Sequence, residues 1–97
     1  MNRKTKPESQ EFTNLRNSLS NTKQPPNVSA RIELMIQIAD IVRSNGWTQT
    51  VAAQHCHITQ PRMNDLLRGR INRFSLDGLV NIAAALGWKL STKLHAA

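Results

Sequence analysis

The chain holds one cysteine, Cys56, in 97 residues. One thiol excludes an intramolecular disulfide framework and suits a reducing cytoplasm, the expected location. Acidic side chains are scarce, 6 Asp and Glu against 13 Lys and Arg, which leaves a formal charge of +7. No apolar run approaches the roughly 20 residues of a bilayer-spanning helix. The charged N-terminus has no apolar stretch behind it, so it does not read as a secretory signal, and no membrane partner is expected. A small, strongly basic, helix-patterned chain meets an acidic partner, with nucleic acid the leading candidate.

Apolar residues are also missing from one region. Residues 1–28 hold only Met1, Phe12, Leu15, Leu19 and Val28 as apolar side chains, among Pro7, Pro25, Pro26 and many polar residues. Such a segment buries too little surface to offset the entropy of ordering, so it is expected to be a disordered tail. Phe12, Leu15 and Leu19 fall at i, i+3 and i+7. They are either scattered in coil or form one face of a helix that folds only in a partner's groove. Pro25-Pro26 would then act as a stiff spacer. Residues 29–97 are expected to form the folded domain.

Ser29 can cap a first helix whose apolar stripe is Ile32, Met35, Ile36, Ala39 and Val42, widened by Leu34, Ile38 and Ile41 and closed by Gly46. Thr48 caps a short helix from Gln49 to Cys56 with Ala52, Ala53 and Cys56 inward. Thr59 caps the next, with Pro61 in its first turn, where a missing N–H costs nothing. There Met63, Leu66 and Leu67 face inward, and Gln60, Arg62, Asn64, Asp65 and Arg68 outward, before Gly69. After a basic loop, Arg70 to Arg73, Ser75 caps a fourth helix. Asp77 sits in its first turn, and Phe74 and Leu79 stand at the staple positions. From Trp88 the period becomes two. Trp88, Leu90 and Leu94 alternate with polar residues as in a strand, which a two-fold partner could pair antiparallel; the alternative is a frayed end.

The stretch TQTVAAQHCHITQPRMNDLLRG, Thr48 to Gly69, resembles the helix-turn-helix of lambda repressor, Cro and xenobiotic-response-element regulators. Thr48-Gln49, Ala52-Ala53, Ile58, Thr59-Gln60, Leu66 and Gly69 carry the resemblance. The phrase ITQPRMNDLLRGRINRFSLDGLVNIAAALG is similar, more narrowly, to HigA-type antitoxins. The likeness covers about residues 31–90 and implies an all-α, lambda-repressor-like domain of four main helices, here with a short C-terminal strand. It also implies a homodimeric repressor of its own promoter that binds an inverted-repeat operator in double-stranded DNA. The antitoxin likeness adds neutralisation of a small mRNA interferase toxin. A phage-type or stand-alone repressor without a toxin shares much of the phrase. One departure lies at His57, where most of the family has Gly; this turn position needs positive φ, which His tolerates.

The resemblance implies roles by position. Gln49 bonds a phosphate from a helix N-terminus. Thr59, Gln60, Pro61, Arg62, Asn64 and Asp65 face the major groove. Gln60 reads adenine, Pro61 touches a thymine methyl, Arg62 meets guanine or a phosphate, and Asp65 accepts from cytosine. Arg68, Arg70, Asn72 and Arg73 hold the backbone; residues 62–73 carry a local charge of +3. Asp65 could instead pair with Arg62 or Arg68 one turn away, and Arg70 and Arg73 could be solvated surface. His55-Cys56-His57 lacks a fourth ligand at suitable spacing, so no metal or other cofactor is expected. Trp47 and Trp88 read as core rather than nucleotide stackers. No nucleophile–base pair or phosphate loop appears, so an enzyme is disfavoured. The expected toxin contacts are Phe12, Leu15 and Leu19, and the expected dimer contacts Trp88, Leu90 and Leu94.

Overall fold

The computed structural model describes residues 8–19 and 25–87. Among these residues there are five α-helices and one 3₁₀ turn, Ile71–Arg73, with no strand. Helix α1 is Gln10–Ser18, α2 Pro26–Ser44, α3 Gln49–Cys56, α4 Gln60–Leu67 and α5 Leu76–Ala85. The four helices expected from the sequence are α2 to α5. The strand anticipated over Trp88, Leu90 and Leu94 lies outside the described residues.

Side-chain caps set most helix starts. The hydroxyls of Ser9, Thr48, Thr59 and Ser75 each accept from the backbone N–H three residues on, those of Phe12, Val51, Arg62 and Gly78. Such a cap satisfies one of the four N–H groups that every helix start leaves open. Helix α2 is the exception and corrects the sequence expectation. It begins at Pro26, with Pro25 in the cap position and no side-chain cap, so Ser29 lies inside the helix. Val28 and Ser29 N–H both donate to the Pro25 carbonyl. The diproline thus starts a helix, because its fixed φ suits the first turn.

Three helix ends share one closure. After α2, α3 and α4, residues Gly46 (φ 66), His57 (φ 59) and Gly69 (φ 75) turn left-handed. The N–H groups of Trp47, Ile58 and Arg70 then reach back five residues to the carbonyls of Val42, Ala53 and Asp65. That is the Schellman pattern. His57 fills the left-handed position that sequence reasoning assigned to it, with ψ 40.

Met35, Ile38, Ala39 and Val42 of α2 are fully buried with Ala52 of α3, Met63 and Leu66 of α4 and Leu79 of α5. Phe74, just before α5, is buried too, and Arg31 of α2 donates to its carbonyl at 3.2 Å. Cys56 belongs to this core, and burial pushes its thiol up to about 11, which keeps it neutral.

The largest difference from the sequence expectation is α1. Residues 10–18 form a helix, not a disordered tail, and Phe12 (0% exposed) and Leu15 join the main core. Composition misled because two apolar residues suffice when a ready-made surface receives them. The Phe12 ring lies beneath the guanidinium groups of Arg43 (5.0 Å) and Arg16 (5.4 Å). Arg16 also ion-pairs with Glu8 at 2.7 Å and with Asp40 of α2 at 3.1 Å. The hydrogen bond from Arg16 holds the Glu8 carboxyl below its usual range, against the opposing effect of burial. The folded unit therefore extends back to Glu8. Phe12 and Leu15, expected as contacts in a partner's groove, are instead buried in the chain's own core; Leu19 remains 37% exposed.

Candidate nucleic-acid interface

Helices α3 and α4 are joined by the left-handed His57, Ile58 and Thr59. Small Ala52 and Ala53, both buried, let the two helices cross closely. Helix α4 buries Met63, Leu66 and Leu67 and leaves its N-terminal end, Thr59, Gln60 and Pro61, exposed. No acidic residue lies in the first turn of α3 or of α4, so the partial positive charge of both helix starts is uncompensated there. Gln49, at the start of α3, donates to Asn64 of α4 at 3.2 Å, which ties the two polar ends together.

The basic loop beyond α4 is organised from within. Asp65 accepts from Arg70 Nη1 at 3.0 Å and lies 3.3 Å from Arg73 Nη1, with its own side chain 13% exposed. Burial raises its pKa, but the hydrogen bond from Arg70 and the charge of Arg73 outweigh that and hold it below the usual carboxylate range. Asp65 therefore pairs with neither Arg62 nor Arg68, the partners that helical spacing suggested; its partners come from the loop. Arg62 is also engaged. Its guanidinium stacks over the Phe74 ring at 4.4 Å and donates to the Arg73 carbonyl at 2.9 Å. Asn72 and Arg73 are exposed at the tip of the 3₁₀ turn, and Arg68 is exposed at the end of α4.

Sequence reasoning missed one charged residue at this surface. Glu11 of α1 accepts from Arg68 Nε at 3.1 Å and lies 3.9 Å from Arg70 Nε. The approach is close enough that a Cβ added at Gly69 would lie 3.0 Å from the Phe12 Cα. Arg68 and Glu11 are 57 residues apart, and no local pattern signals such a pair. Elsewhere, Trp47 stacks on His55 with centroids 3.9 Å apart and packs against the core. A shallow cleft of about 330 Å³ beside the turn is lined by Cys56, Ile58, Ile82 and Ala85 among others. Its one charged wall, Arg62, is the group already committed to Phe74. No cluster of three metal-ligating side chains occurs among the described residues. No helix among them is long and apolar enough to cross a membrane.

An exposed polar first turn, a preceding helix braced against it and a flanking arginine loop are what a duplex reader needs. No curated protein and no solved structure matches the chain significantly. A family model described as a helix-turn-helix domain matches residues 20–95, most of the chain and all of α2 to α5, and the chain belongs to that family.

Proposed function

We propose that the chain is a sequence-specific repressor that binds an inverted repeat in double-stranded DNA as a homodimer and controls its own promoter. One observation carries this reading: Thr59, Gln60 and Pro61 stand exposed on α4 while the rest of that helix is anchored in the core, with exposed Arg68 and Arg73 alongside. Gln60 is the base reader, with adenine its bidentate partner, and Pro61 offers an apolar contact to a thymine methyl. Thr59, Gln49 and Asn64 line the polar ends of the two helices. Arg68, Arg70, Asn72 and Arg73 meet phosphates. Asp65 and Arg62 serve by holding the loop rather than by reading bases, since both are engaged within the chain. The principal extents, 37 × 31 × 24 Å, match about one turn of duplex, so two half-sites call for two subunits. The alternation of Trp88, Leu90 and Leu94 supports a strand-paired dimer.

The test is a titration of a labelled duplex carrying the upstream promoter against a scrambled duplex, across a salt series. The expected result is preference for the promoter and a slope of log affinity against log salt near about −5, for three phosphate-binding arginines per subunit. Equal affinity for both duplexes, or no salt dependence, overturns the reading. Leu90→Pro is expected to weaken dimerisation and operator binding together in sedimentation and titration.

The likeness of residues 58–87 to HigA-type antitoxins supports a finer proposal, that the repressor also neutralises a small toxin encoded beside it. Co-expression with the adjacent reading frame tests it. Rescue of growth with co-purification supports the pairing, and toxicity unaffected by this chain refutes it.

A further inference from the structure

We propose that α1 belongs to the DNA interface and that Glu11 attenuates DNA affinity by competing with phosphates for Arg68 and Arg70. The proposal rests on the DNA-binding reading above. Glu11 reaches both arginines, at 3.1 and 3.9 Å. They flank Gly69 at the C-terminal end of α4, beside the exposed Asn72 and Arg73 that the reading above assigns to phosphates.

An exposed ion pair alone would mean little, because two mobile side chains seldom hold one geometry. Here the backbone holds it. Phe12, the residue after Glu11, is fully buried, and its Cα packs so closely on Gly69 that an added Cβ would lie 3.0 Å from it. The far side of α1 is fixed to α2 through Glu8, Arg16 and Asp40. The α1 backbone therefore keeps the Glu11 carboxylate within reach of Arg68 and Arg70. A phosphate arriving at either must displace this carboxylate or share the cation with it. Asp65 does not have the same effect. It is nearly enclosed and sets the loop's shape, whereas Glu11 is 51% exposed at the surface a phosphate would approach.

The residues that match the family begin at 20, after α1, so this carboxylate is an addition to the matched domain. Phosphate contacts carry no sequence information, so the attenuation applies equally to operator and non-operator DNA.

The experiment titrates the full-length chain and Glu11→Gln against promoter and scrambled duplexes over a salt series. Glu33→Gln is the control, an equal charge loss at an exposed position of α2 that pairs with none of these arginines. Glu11→Gln is expected to bind both duplexes about three- to tenfold tighter, with a salt slope steeper by roughly 1–2. In an Arg68→Gln/Arg70→Gln background the same change is expected to gain nothing. Unchanged affinity in Glu11→Gln, an equal gain in Glu33→Gln, or a gain that survives loss of both arginines overturns the proposal. A wild-type chain with no affinity for either duplex overturns the DNA-binding reading, and the proposal with it. Matching thermal unfolding of Glu11→Gln and wild type would show that α1 remains docked.

Discussion

Helices α1 and α4 are close in design and opposite in use. Each is short, each starts from a hydroxyl cap, at Ser9 and Thr59, and each buries an apolar pair at i, i+3 spacing, Phe12/Leu15 and Met63/Leu66. They differ in the first turn. Helix α1 has Glu11 there, facing arginines of the same chain, while α4 has Gln60 and Pro61, with no acid in that turn and both residues exposed among the described residues. One helix start is consumed internally and the other is presented outward. The same local code yields a start that is paired within the chain or one that is exposed, depending on whether the first turn carries an acid that meets the chain's own arginines.

The strongest way to break this comparison is to remove the anchor of α1. Phe12→Ala is expected to destabilise the fold by about 3–5 kcal/mol, as a large aromatic lost from a packed core does. Urea unfolding measures it. A loss below about 1 kcal/mol would mean that α1 is an appendage rather than part of the core.

Next in size is the exposed first turn of α4. Gln60→Ala is expected to cost about 1–3 kcal/mol of operator binding and to relax preference at one base pair. Asp65→Asn is expected to weaken binding by a similar factor on every sequence, because the loop loses the shape that places its arginines, without a base contact being altered. Titration against single-base operator variants separates the two patterns. A loss of preference at one position in Asp65→Asn would return that residue to the base-reading set.

Acid sharpens the comparison from the side of α1. The Glu8 carboxyl, bonded by Arg16, titrates below its usual 4.5. A lowered folded-state pKa gives stability that is fully present above the unfolded value and is lost as pH falls through the folded one. Wild type is therefore expected to lose stability below about pH 4.5, and Glu8→Gln to lose less over the same range. Parallel melting curves for the two from pH 5 to pH 3 would remove Glu8 from the acid response.

The smallest effect is at the turn between α3 and α4. His57 occupies φ 59, which costs a side chain about 1–2 kcal/mol, partly offset in glycine by its larger entropy loss. His57→Gly is expected to stabilise the fold by less than about 1 kcal/mol and to leave DNA binding unchanged.

Much of α2 to α5 was legible because its signals are local. Caps, a proline in a first turn, and glycines after the last apolar residue act within four or five residues, and each falls where the sequence placed it except at Ser29. There the diproline started the helix earlier. The left-handed His57 was legible for the same reason. The outward face of α4 followed from periodicity, but its pairings did not. Asp65 turned from its own helix to the loop, because the 3₁₀ turn carries Arg70 and Arg73 back to it and Arg62 is taken by Phe74.

Composition alone settled the basic charge and the single thiol; caps and apolar periodicity placed α2 to α5, and the helix-turn-helix stood as a resemblance that the family match supports. Only the tertiary structure decided the fate of residues 10–18. A nine-residue helix with two apolar side chains is marginal in water, since nucleation is costly and little surface is buried. What makes it form is a surface no sequence window contains: the aliphatic face of α2, Arg43 over the Phe12 ring, and the bare backbone at Gly69. The same long-range contact brings Glu11 to Arg68, so the charge of the arginine loop depends on packing as well as on composition.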